Sequence, residues 1–177
     1  FQTSPTDKLQ HYPRICAHRG FSTANPENSI PAYASAIALG IEEIEMDLWP
    51  TLDGQIVVCH DSTVDRVTNG KGRIVDLTYD QIRQMDAGIK FSKHFSGLQI
   101  PLFEDILKQF AKKAIINIHI KSISSNKDYT EEMKRRISFL NRAYDDGVTV
   151  ILAGDERLNV IPEEAEKENF PHAGYDP

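Results

Sequence analysis

One short segment, residues 41–49, constrains the fold of this chain more than any other, because acidic and apolar side chains alternate along it from Glu43 to Leu48. Alternation with a period of two is typical of a β-strand that buries one face. Strands of a parallel sheet usually carry apolar residues on both faces, so an acidic face needs an explanation. A barrel offers one, since its outer face packs on helices while the strand ends at its carboxyl-terminal rim carry the active site. The apolar face carries Ile44, Met46 and Leu48, and the acidic face carries Glu43, Glu45 and Asp47.

The order of predicted elements along the chain indicates a parallel sheet. Helices lie between most of the predicted strands, and such crossover connections join parallel neighbours. We therefore expect an α/β fold of the TIM (β/α)8-barrel type. A complete barrel of this type typically takes about 250 residues, whereas this chain has 177 residues and about five recognisable strands, so the predicted barrel is incomplete. The predicted strands span Arg14–His18, Ile41–Trp49, Ile56–His60, Ile115–Lys121 and Gly147–Ala153, and the predicted helices span Ser29–Leu39, Thr78–Met85, Phe103–Lys113 and Tyr129–Tyr144.

Three regions differ in composition. Residues 1–13 are predicted to form a polar lead-in segment, residues 14–153 the partial barrel with the catalytic site, and residues 154–177 an acidic tail. The hydrophobic fraction of 40% and the charged fraction of 26% are those of an ordinary globular protein. The net charge of -6 disfavours nucleic acid as a partner, because its binding needs clustered Lys and Arg. No apolar run approaches the roughly 20 residues that a transmembrane helix needs.

Glu45 and Asp47 are candidate ligands of a divalent metal ion. Carboxylates at positions i and i+2 of a strand lie on the same face, about 6–7 Å apart along the chain. Two ionised carboxylates in a partly desolvated site repel each other, which raises a pKa or recruits a cation. Mg²⁺ and Ca²⁺ take oxygen ligands and would resolve that conflict. The alternative is a solvated strand face or a salt bridge to lysine.

His18 and His60 are candidates for proton transfer. Each closes a predicted strand and is followed by a loop. The ordinary imidazole pKa of about 6.5 suits proton exchange near neutrality, so two facing histidines can act as base and acid of one displacement. Arg19 offers a bidentate guanidinium for a phosphate. The alternatives are hydrogen-bonded histidines at strand ends and a surface arginine paired with a carboxylate.

The fourth predicted strand adds polar groups to the same interior. Its apolar stripe of three isoleucines directs the alternate residues Asn117, His119 and Lys121 inward. His119 is a candidate metal ligand, and Lys121 is a second cation for an anionic substrate. The same parity argument places Cys16 on an inner face and Cys59 on an outer face, so we expect no disulfide between them.

Taken together, these motifs resemble the glycerophosphodiester phosphodiesterase family, whose members are TIM barrels. The resemblance runs in unbroken order from about Ile15 to Lys121, and the set of spaced motifs is far more specific than any one of them. The matching stretches are His18-Arg19-Gly20, Pro26-Glu27-Asn28, Glu45-Met46-Asp47, Thr51-Leu52-Asp53-Gly54, His60-Asp61, Asp65-Arg66, Ile100-Pro101-Leu102-Phe103-Glu104 and the strand that ends in Lys121.

The resemblance implies a hydrolase that splits a small-molecule glycerophosphodiester into glycerol 3-phosphate and an alcohol. The expected course is attack of the neighbouring glycerol hydroxyl on phosphorus, which gives a cyclic phosphate that water then opens. The residues to which the resemblance assigns roles are His18 and His60 as general base and acid, Glu45 and Asp47 as metal ligands, Arg19 and Lys121 as phosphate contacts, and Glu27 as a further residue of the site.

The chain departs from the family pattern at one position of the site. The third metal ligand of the family is usually a glutamate two residues before the lysine, where this chain has His119. Imidazole is a poorer partner for Mg²⁺ or Ca²⁺ than carboxylate is, and it favours Zn²⁺ and other transition metals. The expected cofactor is therefore a divalent ion, Mg²⁺ or Ca²⁺ on account of the carboxylates, with Zn²⁺ or Mn²⁺ admitted by His119.

Two other functions use the same residues. One is a phosphodiesterase of the lysophospholipase D or sphingomyelinase D type, although the acidic charge and the lack of an exposed apolar segment weigh against lipid surfaces. The other is an inactive phosphate-binding fragment of such a barrel. Formation of a homo-oligomer is one way to cover the sheet edge of an incomplete barrel. The sequence leaves open the leaving alcohol and the choice between a cytoplasmic and a secreted or periplasmic location.

Overall fold

The structure is a computed structural model, and it describes residues 14–121, 131–137 and 150–153 of the chain. The strands are β1 (Cys16–Ala17), β2 (Glu43–Pro50), β3 (Ile56–Val58), β4 (Ile115–Ile120) and β5 (Val150–Ala153). Four of them form a parallel path in the order β1-β2-β4-β5, while β3 pairs with β2 in the antiparallel sense. This parallel sheet confirms the predicted α/β fold of an incomplete TIM-type barrel.

Helices connect the parallel strands, as the alternation of predicted elements indicates. The helices are α1 (Ile30–Ala38), α2 (Tyr79–Ile82), α3 (Phe103–Phe110) and α4 (residues 131–137), with 3₁₀ turns at Ile74–Asp76 and Lys93–Phe95. The first helix begins where the sequence predicts, because the Ser29 hydroxyl accepts a hydrogen bond from the Ala32 N–H at 3.3 Å. Pro31 lies in the first turn, where its missing N–H breaks no hydrogen bond.

The main core lies between the apolar faces of β2 and β4 and the helices outside them. Alternate residues of both strands are buried, and burial of each large apolar side chain contributes about 1.5–3 kcal/mol. This arrangement confirms the predicted parity, and it leaves the polar faces of the two strands for the barrel interior. The buried side chains are Ile44, Met46 and Leu48 of β2, Ile116, Ile118 and Ile120 of β4, Tyr33 of α1, Phe103, Ile106, Leu107 and Phe110 of α3, and Met133 and Ile137 of α4.

The third strand is present but does not continue the parallel series. It is shorter than predicted, Ile56–Val58, and it pairs Leu48 with Val58 and Pro50 with Ile56. Five residues separate it from β2, and a connection of that length permits a hairpin but no crossover. Asp53-Gly54 makes the turn of this hairpin, with Gly54 at a φ of 77°.

The long connection between β3 and α3 packs on a second, smaller core. Trp49 and Val57 contribute the barrel side of this core, and Val64, Ile74 and Ile82 contribute the connection. The short helix predicted near Thr78–Met85 is present as Tyr79–Ile82, and Thr78 forms a capping box with Gln81. The connection thus packs on the barrel through this second core.

Several other expectations concern the cysteines and the chain ends. Cys16 is half-buried, Cys59 is buried, and both are free thiols, so the expected absence of a disulfide between them is confirmed. Burial raises the pKa of each thiol to about 12.

In the described ranges, no helix has the length and apolar character needed to cross a membrane. The predicted lead-in 1–13, the tail 154–177, and the predicted helix outside 131–137 lie outside the described residues.

Candidate active site

Two neighbouring parallel strands, β2 and β4, bring the predicted polar side chains together. Their register places Glu45 opposite Asn117 and Asp47 opposite His119. The apolar residues between them pack toward the helices, so these polar residues share the opposite face of the sheet. Lys121 follows directly after β4 and lies beside Asp47. The carboxyl ends of the two strands therefore collect the groups that the sequence pattern predicts there.

Glu45, Asp47 and His119 form a cluster suited to a divalent cation. Each offers one ligand atom, and these three atoms lie within 4.8 Å of one another. The ammonium of Lys121 lies 3.0 Å from His119 Nδ1 and 3.1 Å from Asp47 Oδ1, so these two side chains already converge on one cation. Two carboxylates and one imidazole are a donor set that divalent metals accept. The residues present therefore fit the metal that the motif resemblance implies.

Asp47 is the most buried and most constrained carboxylate of the cluster. Its side chain is 1% exposed, and the amide of Asn28 donates to Oδ2 at 2.9 Å. Burial alone would raise the pKa of Asp47, but the contacts with His119 and Asn28 and the charge of Lys121 outweigh it and lower the pKa. Asp47 is therefore ionised at neutral pH. Asn28 is itself fixed, because the Tyr33 hydroxyl donates to its Oδ1 at 2.7 Å.

The pKa of Glu45 shifts in the opposite direction to that of Asp47. Burial, followed by the repulsion of the Asp47 charge, raises the pKa of Glu45 to about 7. The backbone N–H of Arg19 donates to Oε2 at 3.0 Å and partly offsets this rise. Of these two carboxyl groups, Asp47 therefore carries the negative charge at neutral pH. A nearby cation would favour the ionised form of Glu45 as well.

The loop after β1 presents two of the predicted residues to this cluster. His18 Nε2 lies 3.9 Å from Glu45 Oε2, and its side chain is 70% exposed. Burial and then the charge of Arg19 lower the pKa of His18, so its imidazole is neutral at pH 7. Arg19 itself has a φ of 60° and lies 3.6 Å from Asp47 through its Nε. Gly20 has a φ of 79° and no room for a side chain, since a Cβ there would lie 2.7 Å from the Ala32 Cβ.

His60 follows β3 and is held at two points. Its Nδ1 lies 2.7 Å from Asp61 Oδ1, and its carbonyl oxygen accepts a hydrogen bond from the Trp49 indole at 3.2 Å. Asp61 is linked through Arg66 and Glu27 to Arg19, the residue that follows His18. The two predicted proton-transfer residues therefore lie at the same rim.

Glu27 lies at that rim in an ionic network. It accepts hydrogen bonds from Arg19 at 3.2 Å and from the guanidinium of Arg66 at 2.7 and 2.9 Å. The hydrogen bonds from Arg66 are the main reason that the pKa of Glu27 is lowered. A cavity of about 170 Å³ adjoins the network, with Glu27, His60, Arg66, Lys90 and Phe91 among its lining residues.

Similarity to known proteins shows which family this chain belongs to. Residues 18–160 match the Glycerophosphoryl diester phosphodiesterase family. The chain belongs to this family. The resemblance inferred from the motifs is therefore confirmed.

Relatives within the glycerophosphoryl diester phosphodiesterase family agree with this assignment. A glycerophosphodiester phosphodiesterase of Caldanaerobacter subterraneus is 46% identical over 109 residues, which are 61% of this chain and 45% of that protein. A glycerophosphodiester phosphodiesterase of Bacillus altitudinis is 36% identical over 127 residues, 70% of this chain and 52% of that protein. The chain thus spans about half the length of the curated relatives it matches.

A solved structure of the same family has the same fold. The crystal structure of a glycerophosphodiester phosphodiesterase from Agrobacterium tumefaciens superposes with a TM-score of 0.71 at 28% sequence identity. The superposition covers 80% of this chain and 58% of that chain. The described sheet therefore corresponds to part of the TIM barrel of this family.

Three residues of the site received no role from the sequence. Asn28, Asp61 and Arg66 stand in family motifs, but their contacts depend on side-chain directions that spacing does not reveal. Arg66 contacts Glu27 across 39 residues of sequence. Asn28 carries one local signal, since asparagine tolerates the left-handed conformation better than most residues and Asn28 has a φ of 54°.

Proposed function

We propose that the chain catalyses metal-dependent hydrolysis of glycerophosphodiesters to glycerol 3-phosphate and an alcohol. The observation that carries this proposal is the cluster of Glu45, Asp47 and His119 within 4.8 Å, at the strand ends of a chain of this family. The substrate class follows from the names of the relatives, which are glycerophosphodiester phosphodiesterases.

Glu45, Asp47 and His119 would hold the metal. A bound divalent ion supplies positive charge for the non-bridging phosphate oxygens, which become more negative in the transition state. Two oxygen donors suit Mg²⁺ and Ca²⁺, and the imidazole of His119 extends the set to Mn²⁺ and Zn²⁺.

His18 and His60 would move the protons. His18, whose lowered pKa leaves it neutral at pH 7, accepts the proton of the glycerol hydroxyl next to the diester. That oxygen forms a bond to phosphorus, and the bond from phosphorus to the alcohol oxygen breaks. His60 gives its proton to the departing oxygen. Water then opens the cyclic phosphate with the two histidines in reversed roles, which restores both protonation states.

Arg19, Lys121 and Glu27 would bind the substrate around this reaction. The two cations lie beside Asp47 and offset the charge of an anionic diester. Glu27 is held at the rim by Arg19 and Arg66, where an acceptor oxygen can bind a glycerol hydroxyl.

The test is release of glycerol 3-phosphate by the purified 177-residue chain, supplied in turn with Mg²⁺, Ca²⁺, Mn²⁺ and Zn²⁺. We expect turnover of at least one water-soluble glycerophosphodiester and its loss in His18→Ala. Turnover of lysophospholipid or sphingomyelin micelles alone would favour the lipid phosphodiesterase instead. A cooperatively folded chain that binds phosphate but releases no product from any substrate would favour the inactive module.

A further inference from the structure

One guanidinium outside the predicted catalytic set holds two carboxylates of the site. Arg66 donates through Nη1 and Nη2 to the two oxygens of Glu27, at 2.9 and 2.7 Å. It also donates through Nε and Nη2 to the two oxygens of Asp61, at 2.7 and 3.1 Å. Each contact is a bidentate pair, and the planar guanidinium therefore fixes both carboxyl groups relative to one another.

Asp61 transmits this constraint to the imidazole of His60. Its Oδ1 lies 2.7 Å from His60 Nδ1, and the hydrogen bonds from Arg66 are the main reason that the pKa of Asp61 is lowered to about 2. An ionised carboxylate accepts hydrogen bonds and donates none. The short contact therefore requires the proton of the pair to reside on Nδ1 of His60.

The position of that proton decides which nitrogen can react. With Nδ1–H directed at Asp61, Nε2 is the ring nitrogen that can exchange a proton with a substrate. The hydrogen bond from Trp49 to the His60 carbonyl fixes the backbone of the same residue. Side chain and main chain of His60 are thus both held.

We propose that Asp61 and Arg66 are positioning residues that hold His60 as the Nδ1–H tautomer and couple its orientation to Glu27. The inference about the tautomer does not depend on any activity of the chain, while its catalytic consequence rests on the proposed phosphodiesterase function. A nearby, more exposed ion pair serves as a control for the bidentate contacts of Arg66. Arg73 and Asp76 lie in the same connection, pair at 3.6 Å, and have side chains that are 56% and 63% exposed.

The direct test reads the tautomer by NMR of the full chain labelled with ¹⁵N-histidine. The His60 signals are assigned by their absence in His60→Gln, and spectra are recorded at roughly pH 9, where an ordinary imidazole is neutral. We expect Nδ1–H in the unmodified chain and a shift toward Nε2–H in Asp61→Asn, whose amide can donate to Nδ1. Asp76→Asn is the matched control and leaves the tautomer unchanged.

The kinetic test separates the two parts of the network. Asp61→Asn should lower kcat by roughly 10²-fold or more, the contribution of a correctly protonated acid–base group, with a smaller change in KM. Arg66→Gln releases Glu27 as well as Asp61, so it should lower kcat and raise KM together. Arg73→Gln should change neither constant.

The outcomes distinguish this inference from the proposed function. An Nε2–H tautomer in the unmodified chain, or an unchanged tautomer in a folded Asp61→Asn, would overturn the positioning role whatever the activity. The expected tautomers in a chain that hydrolyses no glycerophosphodiester would support the positioning role and contradict the proposed function.

Discussion

The ammonium of Lys121 lies 3.1 Å from the Oδ1 of Asp47, a carboxylate whose side chain is 1% exposed. This lysine and the metal proposed for the site are therefore directed at the same carboxylate. A cation at this distance from a ligand atom repels a second cation that binds there. In the proposed site, this lysine would therefore both contact the substrate and weaken the binding of the metal.

Lys121→Met should bind Mn²⁺ more tightly than the unmodified chain does, by about tenfold, because the competing ammonium is gone. The same variant should hydrolyse glycerophosphodiesters more slowly, since it lacks the ammonium proposed to contact the phosphate. Isothermal titration calorimetry measures the affinity, and exposed Lys112→Met is the control. Weaker Mn²⁺ binding in Lys121→Met would contradict the competition.

The identity of residue 119 should set the metal preference. His119→Glu turns the donor set into three carboxylates, so affinity for Ca²⁺ and Mg²⁺ should rise by about tenfold and affinity for Zn²⁺ should fall. Competition titrations against a metal-sensitive dye measure both changes. His94→Glu places the same substitution at an exposed position and should leave them unaltered. Equal metal preferences before and after His119→Glu would exclude residue 119 as a ligand.

Asn28 should stabilise the fold through its contacts with Asp47 and Tyr33. Asn28→Ala removes a buried partner from both and places alanine at a φ of 54°, so the free energy of unfolding should fall by about 2 kcal/mol. Urea unfolding measures this loss. Because glycine tolerates the backbone angle, Asn28→Gly measures the contribution of the hydrogen bonds alone. Tyr33→Phe removes only the hydrogen bond from the Tyr33 hydroxyl and should lower the free energy of unfolding by about 1 kcal/mol. If Asn28→Gly were as stable as the unmodified chain, the hydrogen bonds would contribute nothing.

The network around Arg66 should make stability depend on pH in the acid range. Hydrogen bonds from Arg66 lower the pKa of Asp61 to about 2 and also lower the pKa of Glu27, compared with ordinary values of about 3.9 and 4.3 in unfolded chains. Groups with a lowered folded pKa stabilise the protein above the unfolded pKa, and this contribution is lost as the pH falls through the folded pKa.

The difference in Tm between the unmodified chain and Arg66→Gln should therefore be largest above about pH 5 and shrink toward pH 2. Thermal melts across this range measure it. Arg73→Gln removes an exposed pair and should show a small difference at every pH. A difference for Arg66→Gln that grows as the pH falls would show that Arg66 does not lower the pKa values of Asp61 and Glu27.

The alternation of core-facing and interior-facing residues along β2 and β4 made most of the site predictable from sequence. Once Ile44, Met46 and Leu48 are assigned to the core, Glu45 and Asp47 must face the other way, and the same holds for His119. The pairing of β3 was harder to predict, because a run of apolar residues does not indicate with which strand it pairs. There the length of the turn was the better guide, since five residues exclude a crossover.

The network of Asp61, Arg66 and Glu27 could not be predicted in the same way. Its members come from two loops, and the directions of loop side chains follow no period of two or 3.6. Asn28 was missed for a similar reason, because its contact with Asp47 spans 19 residues. These residues stand in family motifs, but their side-chain contacts form only in the folded chain.

Whether the Asp47 carboxylate supports hydrolysis is tested by the release of glycerol 3-phosphate from the unmodified chain and from Asp47→Asn, at the same saturating divalent metal concentration. The substitution keeps the shape of the side chain and removes the charge that lies between His119 and Lys121. We expect turnover by the unmodified chain and a loss of at least about 10²-fold in Asp47→Asn. Equal turnover by two equally folded chains would contradict this expectation.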